Sequence, residues 1–278
     1  MTWSPMSMPG PFTTASLADD LRDLGVEEGS VLLVHSSLSA LGYVVGGAHS
    51  VVLALLDVLG PTGTLVVPTH SGDLSEPSYW QNPPAPEDAW PTIREHLPAF
   101  DPHLTATSGM GSIADTVRSH PLALRSNHPS VSFAAVGPEA ETVTANHGLR
   151  FGFDEHSPLA RLEALGAAVL LLGVDHDRNT SLHLAEYRVH EPHQEIAQGA
   201  PLIVDGRRQW VTFTTLDYDT EDFCTIGTAF DAAGHQRTNT VGAGTARLFD
   251  LATAVAFATT WFQQRRLANV EEVEEHQP

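Results

Sequence analysis

The chain has 278 residues, a hydrophobic fraction of 42% and a formal net charge of −20, enough apolar side chain for one sizeable core. Its 14 basic residues are all arginine against 34 acids. That balance excludes a nucleic-acid partner, since phosphate binding needs a positive surface; the acidic field would attract a polycationic ligand, but a lysine-free, acid-rich composition follows equally from a GC-rich genome or a salty habitat. A single cysteine, Cys224, excludes an intrachain disulfide and a cysteine-rich zinc site. With no Cys-His motif around it, Cys224 reads as buried filler. No apolar run approaches the roughly 20 residues of a membrane span. Met1 to Thr13 is rich in Pro, Ser and Met and has neither the basic start nor the apolar core of a signal peptide. The expected organisation is a flexible leader over 1–13, one domain over 14–268 and an acidic tail over 269–278, in the cytoplasm, as a monomer or homodimer.

In chain order, Ser16 with Asp19, Leu21 and Leu24 predicts a capped first helix that Gly25 stops. Residues 30–35 form a short apolar run, a buried strand. A glycine-bearing loop over 36–47, a helix over 48–59, a turn over 60–63 and a second strand over 64–68 follow. Such a strand–helix–strand unit seeds a parallel sheet. Residues 71–102 break the rhythm with seven prolines and the aromatics Tyr79, Trp80 and Trp90; a loop of that length in a compact domain carries function. Helices are then expected over 111–119, 138–146, 158–165 and 180–190, and extended chain over 130–136 and 168–173. Residues 200–204 and 209–214 flank Asp205-Gly206, a hairpin turn. Helical patterns over 219–226 and 250–266 complete the chain. The fold class is α/β: a central, mostly parallel sheet flanked by helices, with a smaller β-containing C-terminal portion.

Four polar clusters fall at strand ends or helix starts, where open α/β sheets hold their ligands. They are His35-Ser36-Ser37, Thr69-His70-Ser71-Gly72-Asp73, Thr107 to Gly111 together with Ser126 to Pro129, and Asn179 to Glu186. In the last, His183 and Glu186 share one helical face. A carboxylate beside an imidazole fixes its tautomer and raises its basicity, which suits removal of a proton from a nucleophile; a plain surface pair has the same spacing. A metal reading of His183, Glu186, His190 and His193 competes, but the pattern is not His-Glu-x-x-His and Pro192 ends the helix before His193. Gly109-Met-Gly111-Ser-Ile-Ala114 lacks the preceding strand of a dinucleotide site, yet a helix start with exposed amides suits a phosphate. No Walker loop or Gly-x-Ser-x-Gly elbow occurs.

These residues carry a resemblance. Leu33-Val-His-Ser-Ser-Leu38 with Gly42 and Gly47, Gly63-Thr-Leu-Val-Val-Pro-Thr69, Arg125-Ser-Asn-His-Pro129, Ser157-Pro-Leu-Ala-Arg161, and Leu171-Leu-Gly-Val174 leading into Asn179 to Glu186 resemble, in this order, the antibiotic N-acetyltransferase family. Its best-known members are aminoglycoside 3-N-acetyltransferases. The resemblance runs from about Leu17 to about Ile226 and implies an α/β fold distinct from the Gcn5-related acetyltransferases, with acetyl-coenzyme A as co-substrate and no metal. It implies that His35, Ser36, Ser37, Leu38, Thr69, Ser108, Met110 and Gly111 cradle the coenzyme, with His128 near its pantetheine or diphosphate. His183 is then the general base, Glu186 its support, and the Thr180 hydroxyl a donor to the developing oxyanion, with Ser36 or Ser37 as alternatives. The excursion from Asp73 to Trp90 helps shape the acceptor pocket, and Asp73, Glu76, Asn179, Glu186 and Asp222 contact a polyamine acceptor. The alternatives are a family member acting on another small amine in biosynthesis, a non-catalytic coenzyme- or polycation-binding protein, and a metal-dependent hydrolase.

Overall fold

The computed structural model describes residues 9–189 and 195–275. The first helix, α1 (Thr14–Leu24), starts earlier than Ser16 because Thr13 is its cap. The Thr13 Oγ1 accepts the Ser16 N–H at 3.1 Å, and the Ser16 Oγ accepts the Thr13 N–H at 2.9 Å. This is a capping box in which Ser16 answers the cap rather than supplying it. Gly25 ends the helix at φ 103°, a left-handed position that suits glycine. The end of the expected leader is anchored: Phe12 donates to the Tyr43 carbonyl at 2.8 Å, and Tyr43 to the Pro9 carbonyl at 2.9 Å.

The sheet is built from β1 (Val31–Ser36), β2 (Thr64–Pro68), β3 (Leu124–Arg125), β4 (Phe133–Val136), β5 (Ala168–Leu172), β8 (Arg237–Val241) and β9 (Gly244–Asp250). Their spatial order is β3-β4-β2-β1-β5-β9-β8. The central trio β2-β1-β5 is parallel, and the strands added on either side pair antiparallel. Successive side chains alternate between two cores. Leu32, Val34, Leu65, Val67, Leu170 and Leu172 face one, with α1, α2 (Ala48–Leu59) and α4 (Gly111–Arg118). Leu33, Val66, Val169 and Leu171 face the other, with α5 (Ala140–Thr144), α6 (Pro158–Ala164), α7 (Leu182–Arg188), α8 (Phe223–Ala232) and α9 (Leu251–Glu275). Burial on both faces is why these strands read as unbroken apolar runs.

The remaining hairpin, β6 (Glu195–Val204) and β7 (Arg207–Leu216), is longer than its apolar pattern and turns through Asp205 at φ 50° and Gly206 at φ 73°. The excursion over 71–102 holds short helical turns at Pro77–Tyr79 and Glu87–Ala89, then α3 (Trp90–His96). The strands β8 and β9 carry no strong sequence signal, because four of the five residues of β8 face solvent. Cys224 is exposed on α8, not buried filler. Helix α9 runs on through the acidic stretch to Glu275. No helix among the described residues is long and apolar enough to cross a membrane.

Gly137 sits at φ 135° where the chain leaves β4, and an added Cβ would lie 2.7 Å from the Thr64 Cα. The obstacle is backbone and cannot swing away. Gly137→Ala is therefore expected to destabilise the fold by more than about 2 kcal/mol, against about 1 kcal/mol for Thr13→Ala at the helix cap. Urea denaturation of the two variants measures the difference.

Candidate active site

The parallel trio ends at one edge, and each strand delivers an imidazole there. His35 is the penultimate residue of β1, His70 follows β2 by two residues, and His183 stands in the first turn of α7 beyond β5. Asn179 fixes the entry to that helix. It is fully buried, and its Oδ1 accepts the Ser181 hydroxyl at 2.6 Å and the Ser181 N–H at 3.3 Å. One face of the helix then carries His183 and Glu186, whose Oε2 accepts the His183 Nδ1–H. Both side chains are nearly dry, at 9% and 11% exposure. The His183 ring stacks parallel to Phe153 at 4.8 Å, with Tyr218 at 5.1 Å and Phe223 at 4.9 Å around it. With Nδ1 committed to Glu186, Nε2 is the ring nitrogen left for another partner.

Residues next to this ring line two depressions. A groove of about 870 Å³ is lined by His35, Ser36, Ser37, Leu38, Met110, Gly111 and Thr180. A second pocket of about 680 Å³ is lined by His70, Ser75, His128, Gln198, Asp217 and Tyr218. The backbone of His183 donates to Thr180 of the groove wall at 3.1 Å, while its ring touches Tyr218 of the second pocket. His183 itself lines neither, but it is bonded to the wall of one and packed against the wall of the other.

The neighbouring imidazoles are kept neutral. Burial, reinforced by the nearby His183 and His176, lowers the His35 pKa to about 3. Burial likewise lowers His70 to about 3, with His183, His35, His147 and Arg125 adding to it. His147 falls to about 4, again chiefly through burial, although its bond to the Gly152 carbonyl opposes the shift. His128 is held well below its ordinary value by burial. Its Nδ1 accepts the N–H groups of Ser130 and Val131, both at 3.1 Å, so its Nε2–H donates to the Leu149 carbonyl at 3.3 Å.

Not every residue singled out from the sequence reaches a depression. Thr69 is fully buried beneath the groove, with its Oγ1 bonded to the Ser132 Oγ at 3.1 Å and its carbonyl accepting Arg125 at 2.7 Å. Ser108 ties the excursion together, donating from its N–H to the His70 carbonyl at 2.8 Å and from its Oγ to Asp73 at 3.2 Å. His128 lines the second pocket rather than the groove that holds His35 to Leu38. Glu76 is occupied by Arg94; burial alone would raise its carboxyl, but bonds from Arg94 and Ser78 outweigh that and hold it low. Asp222 pairs with Arg265. None of Asp73, Glu76 and Asp222 lines the second pocket, whose carboxylate among the described residues is Asp217. His70 stood in a quoted cluster without a role, whereas Phe153, Tyr218 and Asp217 carried no signal in the sequence. No group of three or more potential ligands stands ready for a metal among the described residues. Helix α7 stops at Arg188, and His190 and His193 lie outside the described residues.

The family model for aminoglycoside 3-N-acetyltransferases matches residues 33–263. A prophage-derived aminoglycoside N(3′)-acetyltransferase-like protein of Bacillus subtilis, YokD, is 45% identical over 94% of this chain and 96% of its own. Its crystal structure superposes with a TM-score of 0.90, covering 92% of this chain and 95% of that one. A structure of AAC-IIIb in binary complex with CoASH matches with a TM-score of 0.83 at 32% identity, over 92% and 98% of the two chains. One of AAC-VIa bound to sisomicin matches with the same TM-score at 31% identity, over 92% and 99%.

The buried rings make stability depend on pH. In the unfolded chain a histidine binds its proton near 6.5, whereas folded His35 and His147 do so only near 3 and 4. The folded state therefore binds fewer protons between these values. Stability is complete above about pH 6.5 and falls by about 1.4 kcal/mol per pH unit for each such ring as the solution is acidified. Urea midpoints are expected to drop from pH 7 to pH 5, and His147→Gln to make that dependence shallower.

Proposed function

This chain belongs to the aminoglycoside 3-N-acetyltransferase family, and from that membership we propose that it is an acetyl-coenzyme-A-dependent enzyme that acetylates the 3-amino group on the 2-deoxystreptamine ring of aminoglycoside antibiotics, conferring resistance. The observation that carries the reading is the buried His183–Glu186 pair, bonded through its backbone to Thr180 of one depression and ring-packed against Tyr218 of the other. One depression suits the donor and the other the acceptor, as relatives bound to CoASH and to sisomicin support.

The groove fits an acyl-coenzyme A. Gly109 and Gly111, at φ 72° and 82°, bare their amides along its wall, with the hydroxyls of Ser36, Ser37 and Thr180 and the guanidinium of Arg178. The His35 Nε2 is buried there without a hydrogen-bond partner among the described residues. A thioester supplies an acetyl group already activated for attack, so the residues have three tasks. The walls hold the acceptor amine and the carbonyl in a near-attack arrangement. His183 Nε2 takes the amine proton as the new N–C bond forms, a contribution of roughly 10²–10⁴-fold, and can return it to the departing sulfur. Glu186 fixes the tautomer and stabilises the imidazolium. The Thr180 hydroxyl and nearby amides are the donors available to the developing oxyanion. An exposed free thiol at Cys224 suits a reducing compartment and, with it, a cytoplasmic location.

Incubation with acetyl-coenzyme A and a mixed aminoglycoside panel is expected to give a single acetyl increment by mass spectrometry; no increment on any member would overturn the reading. His183→Ala is expected to lower kcat at least about a hundredfold while calorimetry shows coenzyme A still bound. Near-normal turnover by the folded variant would remove His183 from the chemistry.

A further inference from the structure

His70 is held firmly and is used by nothing described so far. On either side of it the Thr69 N–H donates to the Ser132 carbonyl at 2.8 Å and the Ser71 N–H to the Ser130 carbonyl at 2.9 Å. Its own carbonyl accepts the Ser108 N–H. Its ring meets Phe133 edge-on at 5.6 Å and Phe153 at 5.6 Å, and the Phe153 ring is the one stacked on His183. Backbone and ring are therefore both fixed. Yet the His70 Nε2 is buried with no hydrogen-bond partner among the described residues. Leaving such an atom unsatisfied costs stability, and proteins retain the cost where a ligand supplies the partner. The ring lines the second pocket beside Ser75, Gln198 and Tyr218.

We propose that His70 is a substrate-positioning residue: its Nε2 hydrogen-bonds a hydroxyl or amine of the acceptor beside the reacting nitrogen and so aims that nitrogen at His183. The inference rests on acetyl transfer to an acceptor held in the second pocket. A ring kept neutral by its burial does not repel an incoming ammonium group. A hydroxyl neighbour satisfies either tautomer, since it can both donate and accept. The aromatic contacts with Phe133 and Phe153 explain why the ring cannot turn away to find another partner.

The test compares His70→Phe, which keeps the aromatic packing, with His70→Gln, which keeps a polar atom at a similar reach. Sisomicin and acetyl-coenzyme A are the probes. One neutral hydrogen bond made equally before and during reaction changes KM and spares kcat. The Phe variant should raise the sisomicin KM about three- to tenfold and leave both kcat and the acetyl-coenzyme A KM close to wild type. The Gln variant should recover most of the loss. An unchanged sisomicin KM in the Phe variant would overturn the proposal, as would a Gln variant no better than Phe despite an equal melting temperature. Sisomicin affinity is read separately by calorimetry on the coenzyme-A-loaded protein. A failed role for His70 leaves wild-type thiol release intact, whereas a failed functional reading abolishes it in the wild type.

Discussion

A carboxylate and an imidazole held together out of water set the terms for the rest of this molecule. Glu186 and His183 are each less than a tenth exposed, and an isolated buried carboxylate would cost several kcal/mol. The pair is affordable only because the two side chains satisfy each other one helical turn apart. That geometry needs α7 to begin where it does, which the Asn179 lock on Ser181 secures. It also needs the ring to be held flat, which the parallel Phe153 stack secures.

Arginine fastens the elements around that pair. Arg125 bonds the Thr69 carbonyl at 2.7 Å, the Thr105 carbonyl at 2.6 Å and the Ser132 hydroxyl at 2.9 Å. It thereby ties the end of the proline-rich excursion to β2 and β4, and burial lowers its pKa to about 10. Arg188 spans Glu155 and Glu163 at the far end of α7. A planar fork with several donors in fixed directions suits both tasks, and a lysine would serve neither as well. A chain without lysine has thus committed much of its positive charge to architecture.

The central strands and α2 were legible because their burial is uniform: an apolar run bounded by turns has one reading. The His183–Glu186 pair was legible because its spacing is local. The edge hairpin β8–β9 was not, since Arg237 to Thr240 face solvent and carry no apolar stripe. The acceptor carboxylates could not be assigned from sequence either. Glu76 and Asp222 are neutralised by Arg94 and Arg265, 18 and 43 residues away along the chain, and no local pattern reveals such partners. His128 lies in a family motif, and the Ser130 and Val131 N–H groups hold its ring in the wall of the second pocket, a placement no local pattern reveals.

The neutrality of the surrounding rings completes the electrostatic argument. A general base must be able to take up positive charge, and charged neighbours would oppose that uptake. Four imidazoles stand near His183 in the sequence's site clusters or beside them, and burial keeps His35, His70, His128 and His147 uncharged at neutral pH. Among these five rings, His183 is the one with a carboxylate partner. The formal net charge of −20 acts at longer range, as a field that attracts a polycation.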